Sequence, residues 1–152
     1  MAVVVVAALV VYAVLSFNVS ALPNPGWLET SLATSAKRWY VARAARAKLP
    51  AAPPDNGQNV ASGQALFGMA CASCHGQDAR DPTPMGQSLY PRATDLAAPE
   101  IQAYTDRELF WVIKNGIRLS GMPGFARTNS DEQIWQLVYY VRSLGKPSAR
   151  GR

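Results

Sequence analysis

Histidine and cysteine are nearly absent. The 152 residues hold one His and two Cys. A structural zinc site takes four such ligands, so this inventory cannot build one. A second histidine is missing, which rules out any site resting on two imidazoles. No βαβ pattern surrounds the cysteines, so the usual setting of a thioredoxin-like dithiol is lacking. Charge is sparse, at 16% of residues, and residues 2–22 carry none. The net +5 is unevenly placed. Between residues 59 and 147, eight Lys and Arg are matched by eight Asp and Glu. The excess comes from seven basic residues, Lys37, Arg38, Arg43, Arg46, Lys48, Arg150 and Arg152, against Glu29 and Asp55. A neutral main region argues against a nucleic-acid partner. The basic flank points to a membrane surface or an acidic protein.

What the chain does have is Cys71-Ala72-Ser73-Cys74-His75. All its cysteines and its one histidine fall in these five residues. This C-x-x-C-H order is the pattern for covalent attachment of haem c, one thioether per thiol. Using both thiols leaves none for a disulfide. The adjacent imidazole, His75, becomes the proximal iron ligand. The sixth position then falls to a methionine or stays open. Met1 lies far off in the apolar N-terminus, and Met69 is tied to the proximal side. Met85, ten residues past His75, has only a short reach around a porphyrin. Met122 sits in Ser120-Gly121-Met122-Pro123-Gly124-Phe125, where glycine permits close approach and proline stiffens the loop. It is the favoured ligand; its rival role is core filler.

In chain order, residues 1–22 form an apolar segment whose helical length, about 30 Å, matches a bilayer core. A transmembrane anchor is expected. A cleaved signal peptide would have a shorter run and a basic start. The basic cluster after the span runs against the positive-inside rule, but haem attachment requires the C-terminal side to be outside. Residues 23–48 read as a basic amphipathic helix from Trp27 to Lys48, with Leu28, Leu32, Ala36 and Trp39 on one face. It is expected to lie at the membrane interface or dock on a partner, with a solvated spacer as the bland alternative. Residues 49–58 form a Pro-rich linker.

Residues 59–147 make the folded domain, with 148–152 a basic tail. A helix from Val60 leads into the cysteines, and Gly63 within it signals close approach of another helix. The segment from Gly76 to Pro99 reads as a long loop, sensible if it wraps a large ligand. Within it, Pro82 or Pro84 is expected to present a carbonyl to His75. Tyr90 and Arg92 are candidates for the haem propionates, with Arg92 equally readable as a solvated surface charge. Thr105-x-x-Glu108 and Ser130-x-x-Gln133 are capping boxes. They open helices with inner faces of Leu109, Val112 and Ile113, and of Ile134, Leu137, Val138, Val141 and Leu144. Asn115-Gly116 signals a left-handed C-cap.

From Asn59 to Leu144 the chain resembles the class I c-type cytochrome family. The likeness rests on Gly63-x-x-x-Phe67, Cys71-x-x-Cys74-His75, Leu89-Tyr90-Pro91-Arg92 with Asp95-Leu96, Gly121-Met122-Pro123 and an aromatic-rich last helix. Asn115-Gly116-Ile117 and Ile134-Trp135 make it similar to mono-haem domains attached to bacterial respiratory complexes. The resemblance implies an all-α fold around one haem c, with His75 proximal and Met122 distal. It implies single-electron transfer rather than enzymatic turnover. Expected neighbours are a quinol-oxidising complex, a terminal oxidase or a photosynthetic reaction centre, with the haem domain on the periplasmic side of the cytoplasmic membrane. A haem with an open sixth site, for gas sensing or peroxidase-like chemistry, and a mainly structural subunit are the competing readings.

Overall fold

The computed structural model describes residues 1–16 and 20–146, and the described residues form helices with no strand. In order these are α1 (Ala2–Leu15), α2 (Trp27–Ala44), α3 (Gly57–Ala70), α4 (Ala72–His75), α5 (Pro84–Gln87), α6 (Pro99–Gln102), α7 (Asp106–Asn115) and α8 (Asp131–Leu144). The expected tail at 148–152 lies outside the described residues.

The transmembrane anchor expected over 1–22 is not supported by the described helices. α1 has 14 residues, about 21 Å of helix against the roughly 30 Å of a hydrocarbon core. Among the described residues no helix is long and apolar enough to cross a membrane. Ser16 already sits in a closing turn, donating its N–H to the Tyr12 carbonyl at 2.9 Å. Further on, the Ser20 hydroxyl accepts from Leu22 N–H at 3.3 Å. Such short polar side chains offer the backbone an alternative to helix.

The core is built by α3, α7 and α8. α8 opens at Ser130, whose hydroxyl accepts from Gln133 N–H while Gln133 Oε1 accepts from Ser130 N–H. Thr105 and Glu108 do the same for α7. Each box satisfies two amide donors that a helix start otherwise leaves bare. The buried face of α8 carries Ile134, Leu137, Val138 and Val141, as the spacing requires, and Trp135, Tyr139 and Tyr140 as well. Phe110, fully buried in α7, was not in the expected stripe; it packs at a tilt on Trp135 with centroids 4.5 Å apart. α3 crosses α8 at Gly63, where a Cβ would run into the Gln136 carbonyl. Beside the crossing, Phe67 packs on Tyr140 at 5.1 Å, and Gln136 Nε2 donates to Asn59 Oδ1 at 3.0 Å.

α2 docks on the chain's own helical domain. Val41 is 1% exposed and belongs to the main core. Arg107 reaches back to the carbonyls of Ala45 (3.0 Å) and Ala47 (2.7 Å). The Arg38 guanidinium covers the Tyr104 ring at 4.6 Å, and Tyr40 meets Trp111 edge-on at 5.6 Å. The face expected to be engaged is the opposite one: Leu28, Leu32 and Trp39 are more than half exposed. The sequence pattern marked the outward stripe, while the docked side engages Val41, Ala45, the Arg38 guanidinium and Tyr40. Val41→Ala removes two buried methyl groups and is expected to cost about 2 kcal/mol. Thermal unfolding of the variant, with faster proteolysis after Arg43 or Arg46, checks this.

Candidate cofactor site

The cysteine motif stands at the junction of two helices. Cys71 closes α3 through its N–H to Phe67 O (2.8 Å), and its carbonyl receives both Cys74 N–H (3.1 Å) and His75 N–H (3.0 Å). One tight turn therefore carries both thiols and the imidazole. Gly76 ends it with φ +79°; a Cβ there would strike the Asp81 carbonyl. The Asp78 carboxylate accepts from Arg80 and Asp81 N–H groups at 3.0 Å each. Those two donors hold its carboxyl below the usual range.

Both cysteines are half-buried and unbridged. Burial, with Cys74 alongside, pushes the Cys71 thiol up to about 11. An activated dithiol has the opposite character, a lowered thiol pKa. Among the described residues no cluster of three or more His, Cys, Asp or Glu could hold a metal ion. The dithiol and zinc readings both lose ground.

The following loop closes over the motif. Thr83 donates its hydroxyl to Ser73 O (2.6 Å) and its N–H to Cys74 O (3.1 Å). It also caps α5 by accepting from Gly86 N–H, with Pro84 in the first turn where its missing N–H costs nothing. The carbonyl facing His75 Nδ1 is that of Thr94, at 3.0 Å. This corrects the expectation for Pro82 and Pro84. Their carbonyls are used inside the loop, by Gln87 Nε2 (2.9 Å) and Ser88 N–H (3.1 Å). With Nδ1 engaged, the ring's free lone pair is on Nε2, the nitrogen an iron would take.

Met122 is half-buried and packs against the core cluster. Its loop is pinned to the end of α7. The Met122 carbonyl accepts from Ile117 N–H (3.2 Å), and its N–H donates to Ser120 Oγ (3.2 Å). Phe125 and Ala126 N–H groups bond to Ile113 and Lys114 carbonyls. Gly116 makes the reversal at φ +69°, ψ −174°. That is positive φ, as expected, but in the extended glycine-only region rather than the left-handed helical one. The reason is crowding: Gly124 N, Pro123 C and Met122 O crowd the place of a Cβ. Met69 and Met85, by contrast, are 76% and 60% exposed.

Tyr90 and Arg92 part company. Arg92 is exposed. Tyr90 donates its hydroxyl to Glu29 Oε1 of α2 at 2.6 Å, not to a site of its own loop. Sequence reasoning missed Glu29 and Thr94. Sixty-one residues separate Glu29 from Tyr90, and no local pattern signals such a pairing. Thr94 acts through its backbone, which side-chain identity cannot reveal.

The donor set fits one haem c: two thiols on one turn, an imidazole with Nδ1 held, and a half-buried thioether. Cys71, Leu96, Ile117, Met122 and Phe125 all pack on the core yet stay partly uncovered, as side chains awaiting an apolar cover would.

The family model "Cytochrome C oxidase, cbb3-type, subunit III" matches residues 58–141. One solved structure, from the "Kuenenia stuttgartiensis reducing HAO-like protein complex Kustc0457/Kustc0458", is similar with a TM-score of 0.59 at 19% identity. The match covers 65% of this chain and 49% of that one. The chain thus spans about half the length of that neighbour, and the likeness is one of fold. A second structure, "KustC0563 c-type cytochrome", is 30% identical over 55% of this chain and 98% of that one, with a TM-score of 0.49. No curated protein matches.

Proposed function

The chain belongs to the cytochrome c oxidase, cbb3-type, subunit III family, and from that premise we propose that it passes single electrons through one covalent haem within a membrane redox complex. A cytochrome c domain is an electron-transfer module, and its C-x-x-C spacing is that of haem c attachment. The finer assignment of ligands and setting is our reading. The observation that carries it is the turn holding Cys71, Cys74 and His75 with the ring's Nδ1 on the Thr94 carbonyl.

Each residue has a distinct task. Cys71 and Cys74 would hold the haem covalently, one thioether per thiol. His75 offers Nε2 to the iron, and the Thr94 carbonyl fixes the ring and raises its basicity. Met122 offers its thioether from a loop anchored on α7. Bound haem supplies the one-electron ferric/ferrous couple. With His75 and Met122 both engaged, the bound haem would offer substrate no open position, which favours electron transfer. Tyr90 is not assigned to a propionate, because its hydroxyl is engaged by Glu29.

The family description supports an oxidase-type complex over a reaction centre as the partner. We place the domain on the outer side of the cytoplasmic membrane, where haem c is attached. α1, exposed along its whole length and without charge, and the basic residues of α2 support a membrane-associated subunit.

Intact-mass analysis of the denatured, acid-extracted protein tests the reading. One haem per chain should remain attached, and a Cys71→Ala/Cys74→Ala double variant should retain none. A wild-type chain that releases all its haem on extraction would defeat it.

A further inference from the structure

The hydrogen bond between Tyr90 and Glu29 joins the docked helix to the loop beside the cofactor site. Its anchor is firm: α2 is fixed by Val41 in the core and by Arg107 on the Ala45 and Ala47 carbonyls. Glu29 lies in the first turn of that helix, where a carboxylate is favoured by the helix dipole. Tyr90 is flanked by two contacts that matter for the site. On one side, Leu89 lies against Gly121; its two terminal methyl carbons are 2.5 Å from where a Cβ would stand. Gly121 immediately precedes Met122. On the other side, Ala93 N–H bonds to Gly86 O (2.9 Å), and the next carbonyl, of Thr94, faces His75 Nδ1. The stretch 89–94 thus supports both residues assigned to the iron, and Glu29 ties it to the rest of the fold from outside.

We infer that Glu29 is a positioning residue for the iron's two ligands, acting through the Tyr90 hydroxyl on the segment that backs the Met122 loop and orients His75. The inference rests on the ligand assignment above. Without the Glu29 contact, Tyr90 is free to swing outward, Leu89 withdraws from Gly121, and the Met122 loop loosens. The Tyr90 hydroxyl is also harder to ionise than usual because Glu29 accepts its proton in a hydrogen bond, so the contact stays in its donor form at neutral pH.

The test uses the holoprotein and its Glu29→Ala, Glu29→Gln, Tyr90→Phe and Glu29→Ala/Tyr90→Phe variants. Cyanide binding to ferric iron and the far-red methionine–iron band are read beside the helical circular dichroism. Glu29→Ala and Tyr90→Phe should each speed cyanide binding by about threefold to tenfold, the worth of one hydrogen bond. The double variant should go no further than either single one. Glu29→Gln should stay near wild type, since its amide oxygen still accepts. A merely structural role would move the circular dichroism and leave cyanide binding unchanged. Cyanide rates unaltered in both single variants, with the band intact, would overturn this inference alone. A wild-type protein without the band would sink the Met122 assignment and this inference together.

Discussion

Replacing Met122 by Ala should lower the midpoint potential by on the order of 100 mV and open the iron to cyanide. A thioether stabilises ferrous iron, so its loss favours the ferric state. The loop itself should survive the change. Its backbone is held by Ile117, Ser120 and the Ile113 and Lys114 carbonyls rather than by the Met122 side chain. Helical content should therefore remain, which separates ligand loss from unfolding. Met85→Ala and Met69→Ala serve as controls, both being largely exposed; neither should move the potential by more than about a tenth of the Met122 effect. Spectroelectrochemical titration of the three variants checks all of this. A Met122→Ala protein with an unchanged potential would refute the assignment.

Gly63→Val should be the most damaging single change to the fold. A Cβ at this position meets the Gln136 backbone carbonyl and carbon, with Tyr140 Cβ 3.1 Å away. Backbone cannot swing aside as a side chain can, so α3 and α8 must separate. That separation also strips cover from Phe67 and Tyr140, which meet at 5.1 Å. The expected loss is roughly 3 kcal/mol or more, read from denaturant unfolding. Because Cys71 hangs from the end of α3, haem incorporation should fall with it. Gly63→Ala already places a Cβ there and should show the same defect in milder form.

These two residues also show how far sequence carries. Gly63 was legible because glycine inside a helix is costly and wants a neighbour to justify it. The capping boxes at Thr105 and Ser130 were legible because their chemistry is local, three residues from donor to acceptor. Cys71, Cys74 and His75 were legible for the same reason. What escaped depended on distance or on backbone. The partner of His75 is a carbonyl nineteen residues away, so no side chain betrays it. The anchor expectation rested on hydropathy, which counts apolar residues, whereas the described helix α1 ends at Leu15. α2 was read from its outward stripe. Its docked side mixes small, basic and aromatic residues, so its amphipathic signal is faint.

A free linker would let the haem domain roam at the end of a tether. Here Tyr139 donates to the Pro53 carbonyl at 2.6 Å, and Asn59 Nδ2 to the Pro54 carbonyl at 2.8 Å. The proline segment is thus fastened to α8 and α3. α2, the linker and the cytochrome domain are joined by direct contacts, and the stripe of Leu28, Leu32 and Trp39 stays exposed.

The far-red absorption spectrum of the purified ferric protein probes the ligand pair most directly. A six-coordinate iron held by His75 and Met122 gives a weak band there, lost in Met122→Ala and kept in Met85→Ala. A high-spin spectrum lacking that band in the wild-type protein would contradict the account.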